Sequence, residues 1–299
     1  GNDSIFGGAG NDTITVTTTA ADGYDTINGG DGTGDILNIT GSFVNANNAL
    51  ISNIETVKLS TGITVNLAGQ TENFAVTFAA SGSQNINYTG GNGVDNITFT
   101  TLLGSGTGTG AAGQINLGSG ADVVTLASGA NNVYITDADG LITINSTGGG
   151  ANTLKFASAL ASGTVLNLGA GNDVVTLGGD SNTLSIADST SGSTGLSVTG
   201  STGNDTITLT TAVGTSGSGA VLSLGSGSDV INLASGANFV TVTDATGGVS
   251  VKGGAGVDTI TFTTGANLAA TVRGGAGVDV IDLGSGAGAV SVIVEDDTA

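Results

Sequence analysis

A nine-residue pattern recurs along this chain and constrains its fold more than any other feature. The pattern G-G-x-G-x-D-x-U-x, in which U is a large aliphatic residue, occurs in full at residues 7–15, 90–98, 253–261 and 274–282. Looser copies, most of them with leucine in first place, occupy residues 117–125, 168–176, 200–208 and 224–232. Repeats of this kind are typical of solenoids, in which each unit buries its apolar face only by stacking on its neighbours.

A longer period lies above the short one. After residue 90 the residues at the aspartate position of the motif, with Asn152 counted among them, fall into four pairs. The two members of a pair are 27, 21, 24 and 21 residues apart. Corresponding members of successive pairs recur after about fifty residues. We therefore divide the chain into a repeat segment (1–40), coils that lack the motif (41–89), four solenoid units (90–294) and a short end (295–299). Because residue 1 falls inside a motif, we expect the chain to be a piece of a longer protein. The spacing predicts one motif per coil, stacked into a single ladder.

The segments between the motifs have the character of short strands. Runs of three to five residues with alternating polarity recur throughout, for example at 123–126, 133–136 and 141–144, and no stretch of ten residues has a helical period. Only 4% of residues are aromatic, which predicts a thin core of β-branched side chains. The sequence thus predicts an all-β fold, a parallel β-solenoid of the β-roll or β-helix kind.

Composition excludes several classes of function. The chain has no cysteine and no histidine, so disulfides, thiolate sites and imidazole chemistry are absent. Its net charge is −20, with only four basic residues among 299, which argues against nucleic acid as a partner. No apolar run approaches the length of a membrane span.

The motif supplies the ligands that calcium prefers. Calcium takes about six to eight oxygen ligands in flexible geometry, whereas magnesium demands a rigid octahedron. A glycine-rich turn exposes its carbonyl oxygens, and the aspartate that ends the turn adds a charged oxygen. One turn offers too few oxygens for a full shell, so we expect two stacked turns to share an ion.

These repeats resemble the glycine- and aspartate-rich nonapeptides of RTX proteins. The resemblance implies Ca²⁺ as the cofactor, a parallel β-roll or β-helix, and type I secretion. It implies carboxylate ligands at Asp3, Asp12, Asp25, Asp35, Asp95, Asp122, Asp173, Asp205, Asp229, Asp258 and Asp279. It implies carbonyl ligands at Gly8, Gly10, Gly91, Gly93, Gly118, Gly120, Gly169, Gly171, Gly203, Gly225, Gly227, Gly254, Gly256, Gly275 and Gly277.

Other polar residues receive plainer interpretations. Asn152 replaces the motif aspartate, so we expect that turn to bind calcium weakly and Asn152→Ala to cost little. Six further aspartates are interpreted as turn formers, with metal ligation as the alternative: Asp22, Asp31, Asp137, Asp139, Asp188 and Asp244.

Three functions remain open from the sequence. The sparse, Thr/Ala/Asn/Ser-rich repeat resembles crystalline surface-layer (S-layer) proteins of the Caulobacter type, which implies a secreted structural protein that self-associates into a lattice on the cell surface. A cell-surface polysaccharide, bound through another domain, is a further expected partner. The alternatives are the stalk of an RTX adhesin and the calcium-binding accessory module of a secreted enzyme. We expect no catalysis within these residues, because the recurrent carboxylates already have a metal role.

Overall fold

The computed structural model describes most of the chain. The described residues are 3–17, 25–44, 51–60, 63–78, 86–103, 113–146, 148–188, 195–243, 246–263, 268–284 and 290–293. They form strands and turns, and contacts divide the chain into two units, Gly1–Thr147 and Gly148–Ala299. Among these residues no helix is long and apolar enough to cross a membrane.

The first unit is a stack of parallel strands. Its strands are β1 (Ser4–Ala9), β2 (Thr13–Val16), β3 (Thr26–Asp31), β4 (Ile36–Ile39), β5 (Phe43–Val44), β6 (Ile51–Ser52), β7 (Thr56–Leu59), β8 (Thr64–Asn66), β9 (Ala75–Phe78), β10 (Ile86–Thr89), β11 (Asn96–Phe99), β12 (Gly113–Asn116), β13 (Asp122–Leu126), β14 (Asn132–Thr136) and β15 (Ile142–Ser146). They form the sheet β1-β3-β6, the "β5 sheet" (β5-β8-β10-β12-β14) and the "β2 sheet" (β2-β4-β7-β9-β11-β13-β15).

The second unit repeats this architecture with two sheets. Its strands are β16 (Thr153–Phe156), β17 (Thr164–Gly169), β18 (Val174–Thr176), β19 (Thr183–Asp188), β20 (Ser197–Thr199), β21 (Thr206–Leu209), β22 (Ala220–Ser223), β23 (Ser226–Asn232), β24 (Phe239–Thr243), β25 (Thr246–Lys252), β26 (Thr259–Phe262), β27 (Leu268–Arg273), β28 (Val280–Asp282) and β29 (Val290–Ile293). Even-numbered strands form the "β16 sheet" and odd-numbered strands the "β17 sheet".

In each unit, consecutive strands alternate between sheets, and parallel pairing joins each strand to its counterpart one coil later. The predicted all-β parallel β-solenoid is therefore confirmed.

Rows of aliphatic side chains along the solenoid form the core. In the β16 sheet the strand register aligns Leu154, Val175, Val198, Leu222, Val242 and Phe262 in one buried row. Burying each such side chain stabilises the fold by about 1.5–3 kcal/mol. A four-residue strand contributes only two of them, so no coil has a sufficient core without its neighbours.

The segment that lacks the motif continues the same sheets. Strands β7 and β9 belong to the β2 sheet, and β8 and β10 to the β5 sheet. Here the first unit has its aromatic cluster: the rings of Phe78 and Phe99 stack with centroids 4.6 Å apart, and Tyr88 meets Phe78 edge to face at 5.8 Å. The division of the chain into four fifty-residue units remains a prediction.

Candidate metal centres

The residues that end the turns stack one above another along the first unit. Five of the seven turns that lead into the β2 sheet end in an acidic residue: Asp12, Asp35, Glu55, Asp95 and Asp122. The backbone N–H of Asp95 donates to Oδ1 of Asp122, one coil later, over 2.8 Å, and the N–H of Asp12 donates to Oδ1 of Asp35 over 2.7 Å. We call this series of bonds, with its counterparts in the second unit, the carboxylate ladder.

The second unit has a carboxylate ladder on both edges. Turns that lead into the β16 sheet end in Asn152, Asp173, Asn238, Asp258 and Asp279, whereas those that lead into the β17 sheet end in Asn182, Asp205 and Asp229. The bonds are the same: the N–H groups of Asp205 and Asp258 donate to Oδ1 of Asp229 and Asp279 over 2.8 and 2.9 Å.

The prediction of a single ladder is therefore wrong in the second unit. Motif spacings of 21 and 24 residues correspond to one coil and keep the next motif on the same edge. Longer spacings span one coil plus one strand, so the next motif lies on the opposite edge. These are the 32 residues from Asp173 to Asp205 and the 29 from Asp229 to Asp258.

The aspartate fills the space under the first glycine of its turn. A Cβ added at that glycine would lie 2.5–2.9 Å from Oδ2 of the aspartate that ends the turn, five residues later at Gly7, Gly90, Gly200, Gly253 and Gly274 and six residues later at Gly29. Real Cβ atoms essentially never approach a heavy atom this closely. The motif therefore begins with glycine wherever the carboxylate folds back beneath the turn.

The later glycines of the motif allow successive turns to stack closely. Gly118 has φ +89°, and a Cβ there would collide with the carbonyl oxygen of Gly91 in the preceding coil. Gly277 stacks on the carbonyl of Gly256 in the same way. The predicted carbonyl ligands therefore lie between coils. Some already accept hydrogen bonds, as Gly91 does from the N–H of Ser119 at 3.1 Å.

Several turn carboxylates have a buried oxygen with no hydrogen bond. Oδ2 of Asp12, Asp35, Asp122 and Asp173 is inaccessible to water and has no hydrogen-bond partner. A buried polar atom without a partner costs about 1–3 kcal/mol, and more when it is charged. Carboxylate and carbonyl oxygens are both acceptors only, so these turns fit a cation as the missing partner.

In turns that end in asparagine, the side-chain amide is the hydrogen-bond partner of the turn oxygens. Nδ2 of Asn131 donates to the carbonyl oxygens of Ala127 and Gly129 at 2.9 and 3.0 Å, and Nδ2 of Asn238 donates to those of Ala234 and Gly236 at 2.8 and 2.9 Å. The amide group therefore bonds the turn carbonyls that a calcium ion would use.

Asn152 follows the same rule. Its Nδ2 donates to the carbonyl of Gly150 at 3.1 Å, to that of Leu168 at 3.3 Å and to Oδ1 of Asp173 at 3.0 Å. With these acceptors taken, the turn has little left to offer a cation, in line with the expectation of weak calcium binding there. The same bonds argue against the expectation that Asn152→Ala costs little.

Burial makes these aspartates weak acids in the absence of a cation. Burial raises the pKa of Asp95 to about 6, against the opposing effect of hydrogen bonds from the Phe74 N–H and the Tyr88 hydroxyl. Burial raises the pKa of Asp122 to about 7, and the nearby carboxylates of Asp95, Asp137 and Asp139 add to the rise. Burial also raises the pKa of Asp173.

Not all predicted ligands share this environment. Asp3 is exposed and Asp25 half-buried; they stand at a different corner, before β1 and β3, where the Asp3 N–H donates to Oδ1 of Asp25 at 2.8 Å. In the second unit, Oδ2 of Asp205 and Asp258 already accepts a turn N–H, from Ser201 and Gly254 at 3.0 and 3.2 Å. Asp279 is half-buried.

Sequence reasoning missed four polar residues that end turns. Glu55 accepts the Asp35 N–H at 2.7 Å, and Asn131, Asn182 and Asn238 occupy buried turn ends. None carries the Gly-Asp signature. The repeated pentapeptide Ala-Ser-Gly-Ala-Asn at 127–131 and 234–238 was an available signal for two of them.

The donor set suits calcium among divalent ions. No group of three or more acidic side chains converges within the described part of the chain, so a bound ion would take one or two carboxylates and complete its shell with carbonyl oxygens. Hard oxygen ligands in a flexible arrangement are what calcium requires.

Comparison with known protein families assigns these turns. A family model described as the RTX calcium-binding nonapeptide repeat (4 copies) matches residues 1–16, 165–184 and 271–289. Three segments of this chain are therefore similar to RTX repeats. The matched segments contain Asp12, Asp173 and Asp279, each at the end of an RTX turn. No curated protein and no solved structure matches the chain.

Proposed function

We propose that this chain is part of a secreted structural protein of the cell-surface S-layer, whose folding and lattice assembly depend on calcium bound in its RTX turns. The buried, unpartnered Oδ2 atoms of Asp12, Asp35, Asp122 and Asp173 carry the calcium part of this proposal. The ion would be held by these carboxylates and by carbonyls of the stacked turns. When bound, it supplies the positive charge that the turns lack.

The overall charge supports the same role for calcium. A net charge of −20 disfavours compaction through self-repulsion, and about ten divalent ions would cancel it. Extracellular calcium modules bind with Kd of about 10⁻⁴–10⁻³ M. Secretion into millimolar calcium would then trigger folding, because binding to a site that is absent from the unfolded chain adds to the folding free energy.

Circular dichroism and thermal melting test this coupling. We expect strong β signal and a cooperative melt in 5 mM CaCl₂, and weaker β signal with a much lower melting temperature in EGTA. Magnesium at the same concentration is the control and should restore little. Equal β content and melting temperature in EGTA and in calcium would refute calcium-dependent folding.

An exposed apolar patch in the second unit supports assembly. Val257, Val278 and Val280 are 52%, 80% and 53% exposed, and the bridge between Ala255 and Ala276 brings the turns of Val257 and Val278 into neighbouring coils. Exposed apolar patches on secreted proteins mark interaction surfaces. The walls of the solenoid, rich in Thr, Ser and Asn, pack with little loss of side-chain entropy.

Negative-stain microscopy and light scattering of the full-length protein across a calcium titration test assembly. We expect ordered sheets in millimolar calcium and dispersal in chelator. Val257→Thr with Val278→Thr should weaken sheet formation without altering calcium-dependent folding, and Val94→Thr, a half-exposed valine of the first unit, is the matched control. A monodisperse monomer at high calcium would favour the adhesin-stalk or enzyme-module alternatives.

A further inference from the structure

A second aspartate accompanies every RTX turn that begins with leucine. The turns of the form L-G-x-G-x-D start at Leu117, Leu168 and Leu224, and an aspartate follows each leucine after twenty residues, at Asp137, Asp188 and Asp244. The turns that begin with two glycines at residues 7, 90, 253 and 274 have no aspartate at this spacing. Asp244 lies outside the described residues.

Strand register places the two aspartates of each pair on one edge. In the first unit Asn116 pairs with Thr136, so Asp137 begins the turn stacked directly after the Leu117 turn. In the second unit Asp188 pairs with Gly169, the second residue of the turn that ends in Asp173. Each pair therefore joins the end of one turn to the beginning of the next.

Both second aspartates are buried, although turn formers normally face solvent. Asp137 is 2% and Asp188 is 1% exposed. Neither carboxylate oxygen of Asp188 has a hydrogen-bond partner. The nearby Thr211 hydroxyl does not serve it, because that hydroxyl accepts the N–H of Asp188 at 2.8 Å and donates to the carbonyl of Asp188 at 2.7 Å.

The first aspartate of each pair leaves an oxygen free on the same edge. Oδ1 of Asp173 accepts from Asn152 in the preceding coil, at 2.7 Å from the backbone N–H and 3.0 Å from Nδ2, while Oδ2 has no hydrogen bond. Oδ1 of Asp122 likewise accepts from the Asp95 N–H, and its Oδ2 has none. Asp188 stands close enough to Asp173 for their charges to repel. Asp173 and Asp188 are thus neighbouring buried carboxylates, and each has an oxygen without a hydrogen bond.

A neighbouring acid with a structural role provides the contrast. Asp139 lies two residues after Asp137, but its carboxylate accepts the N–H of Gly120 at 2.8 Å and that of Leu141 at 3.2 Å. Asp139 therefore stabilises the turn through these hydrogen bonds, as the sequence predicted. The same interpretation fails for Asp188, whose carboxylate accepts no hydrogen bond.

We propose that each L-G-x-G-x-D turn and the aspartate twenty residues after its leucine form a two-carboxylate calcium site between consecutive coils. Asp122 with Asp137 and Asp173 with Asp188 are the described examples. The site rests on the proposed binding of calcium to RTX turns and adds to it ligands that lie outside the nonapeptide. Two carboxylates match the charge of one divalent ion, and turn carbonyls complete an all-oxygen shell.

Calcium stoichiometry of the full chain tests this site. The wild-type protein, Asp188→Asn and the control Asp180→Asn are dialysed to equilibrium in 2 mM CaCl₂, and bound calcium is measured by atomic emission. Asp180 is exposed, and its substitution removes the same charge. We expect Asp188→Asn to bind one ion fewer per chain, and Asp180→Asn to bind the wild-type number.

Melting temperatures separate a ligand from a structural residue. Asp188→Asn should melt below the wild type in calcium, where a ligand is lost. It should melt at or above the wild type without calcium, where a buried uncompensated charge is removed. A structural residue would lower both temperatures. If Asp188→Asn does not fold, Asp137→Asn applies the same measurements to the first unit.

The possible failures are distinct. A wild-type protein that binds no calcium would overturn the proposed function. A wild-type protein that binds calcium, with the same number of ions retained by Asp188→Asn or by Asp137→Asn, would overturn the two-carboxylate site alone.

Discussion

Aspartate and asparagine occupy the same buried position at the end of these turns, and they differ in a single terminal atom. In both, Oδ1 accepts a backbone N–H from the preceding coil, as Asp229 does from Asp205 and Asn238 from Val213. The other atom of asparagine donates to turn carbonyls, whereas that of aspartate repels them. Asparagine therefore closes a turn without a cation, whereas aspartates such as Asp122 and Asp173 leave Oδ2 without a partner.

Asn152 allows this difference to be measured. Its side chain is fully buried and donates three hydrogen bonds, so Asn152→Ala removes a donor from two carbonyls and one of the two donors to Oδ1 of Asp173. We expect a loss of about 1–3 kcal/mol in the free energy of unfolding, in calcium and in chelator alike. Urea denaturation followed by circular dichroism measures it. An unchanged midpoint would support the milder effect expected from sequence alone.

Sequence pattern predicted the turn aspartates but not their surroundings. Asp95, Asp122 and Asp173 end their turns where the motif places them, because glycine permits the close backbone stacking that these turns require. Glu55 and Asn182 were missed because they lie in no copy of the motif. Only the stacking of coils places them at the same position as the motif aspartates. The burial of Asp188 was also hidden, since the sequence does not show that its strand stacks on the turn that begins at Leu168.

At the scale of strands, alternation was sufficient to predict the elements. In β14, β19 and β24 every second side chain is buried, and these residues are aliphatic except for Asp188 at the end of β19. The edge on which each motif falls could not be predicted in the same way. It depends on whether the intervening chain forms one more strand, and in short glycine- and serine-rich segments that count is not visible in the sequence.

The aromatic stack in the first unit links three consecutive strands and makes them sensitive to one substitution. Phe99 is 2% exposed and stacks on Phe78, which in turn contacts Tyr88. Phe99→Ala should cost about 3–5 kcal/mol through lost burial and a cavity. Hydrogen exchange should become faster in β9, β10 and β11. Asn96→Ala, at an exposed position of the same strand, is the control, and equal exchange in both variants would contradict the stack's role.

For the whole molecule, the buried aspartates and any cation bound to them determine how stability depends on pH. Burial raises the folded-state pKa of Asp95 and Asp137 to about 6, and that of Asp122 and Asp188 to about 7. Unfolded aspartate titrates near 3.9. The folded chain therefore holds protons that the unfolded chain has released, and its stability is greatest below about pH 4 and falls as the pH rises through 6 and 7.

We expect the melting temperature in calcium-depleted buffer to fall steadily from pH 4 to pH 8. In millimolar calcium the fall should be much smaller, because the ion stabilises the ionised carboxylates. Differential scanning calorimetry in buffers passed over a chelating resin measures both profiles. A melting temperature that rises between pH 4 and pH 8 without calcium would contradict the burial of ionisable turns.

The carboxylate ladder has a direction. In both units the donor N–H lies in the earlier coil and the acceptor oxygen in the later one, as for Asp12 with Asp35 and Asp258 with Asp279. A formed coil thus presents oriented acceptors to the coil that precedes it in sequence. In the second unit, pulsed hydrogen exchange after calcium addition should protect β26 and β28 before β16 and β18, and the reverse order would contradict this.

The ribosome synthesises the earlier coils first, which is the opposite order. Each coil emerges before the acceptors that would receive its buried N–H groups have been synthesised, so the nascent chain has no template on which to close. We infer that a coil completes these hydrogen bonds only after the next coil has been made, so that folding trails synthesis by at least one coil.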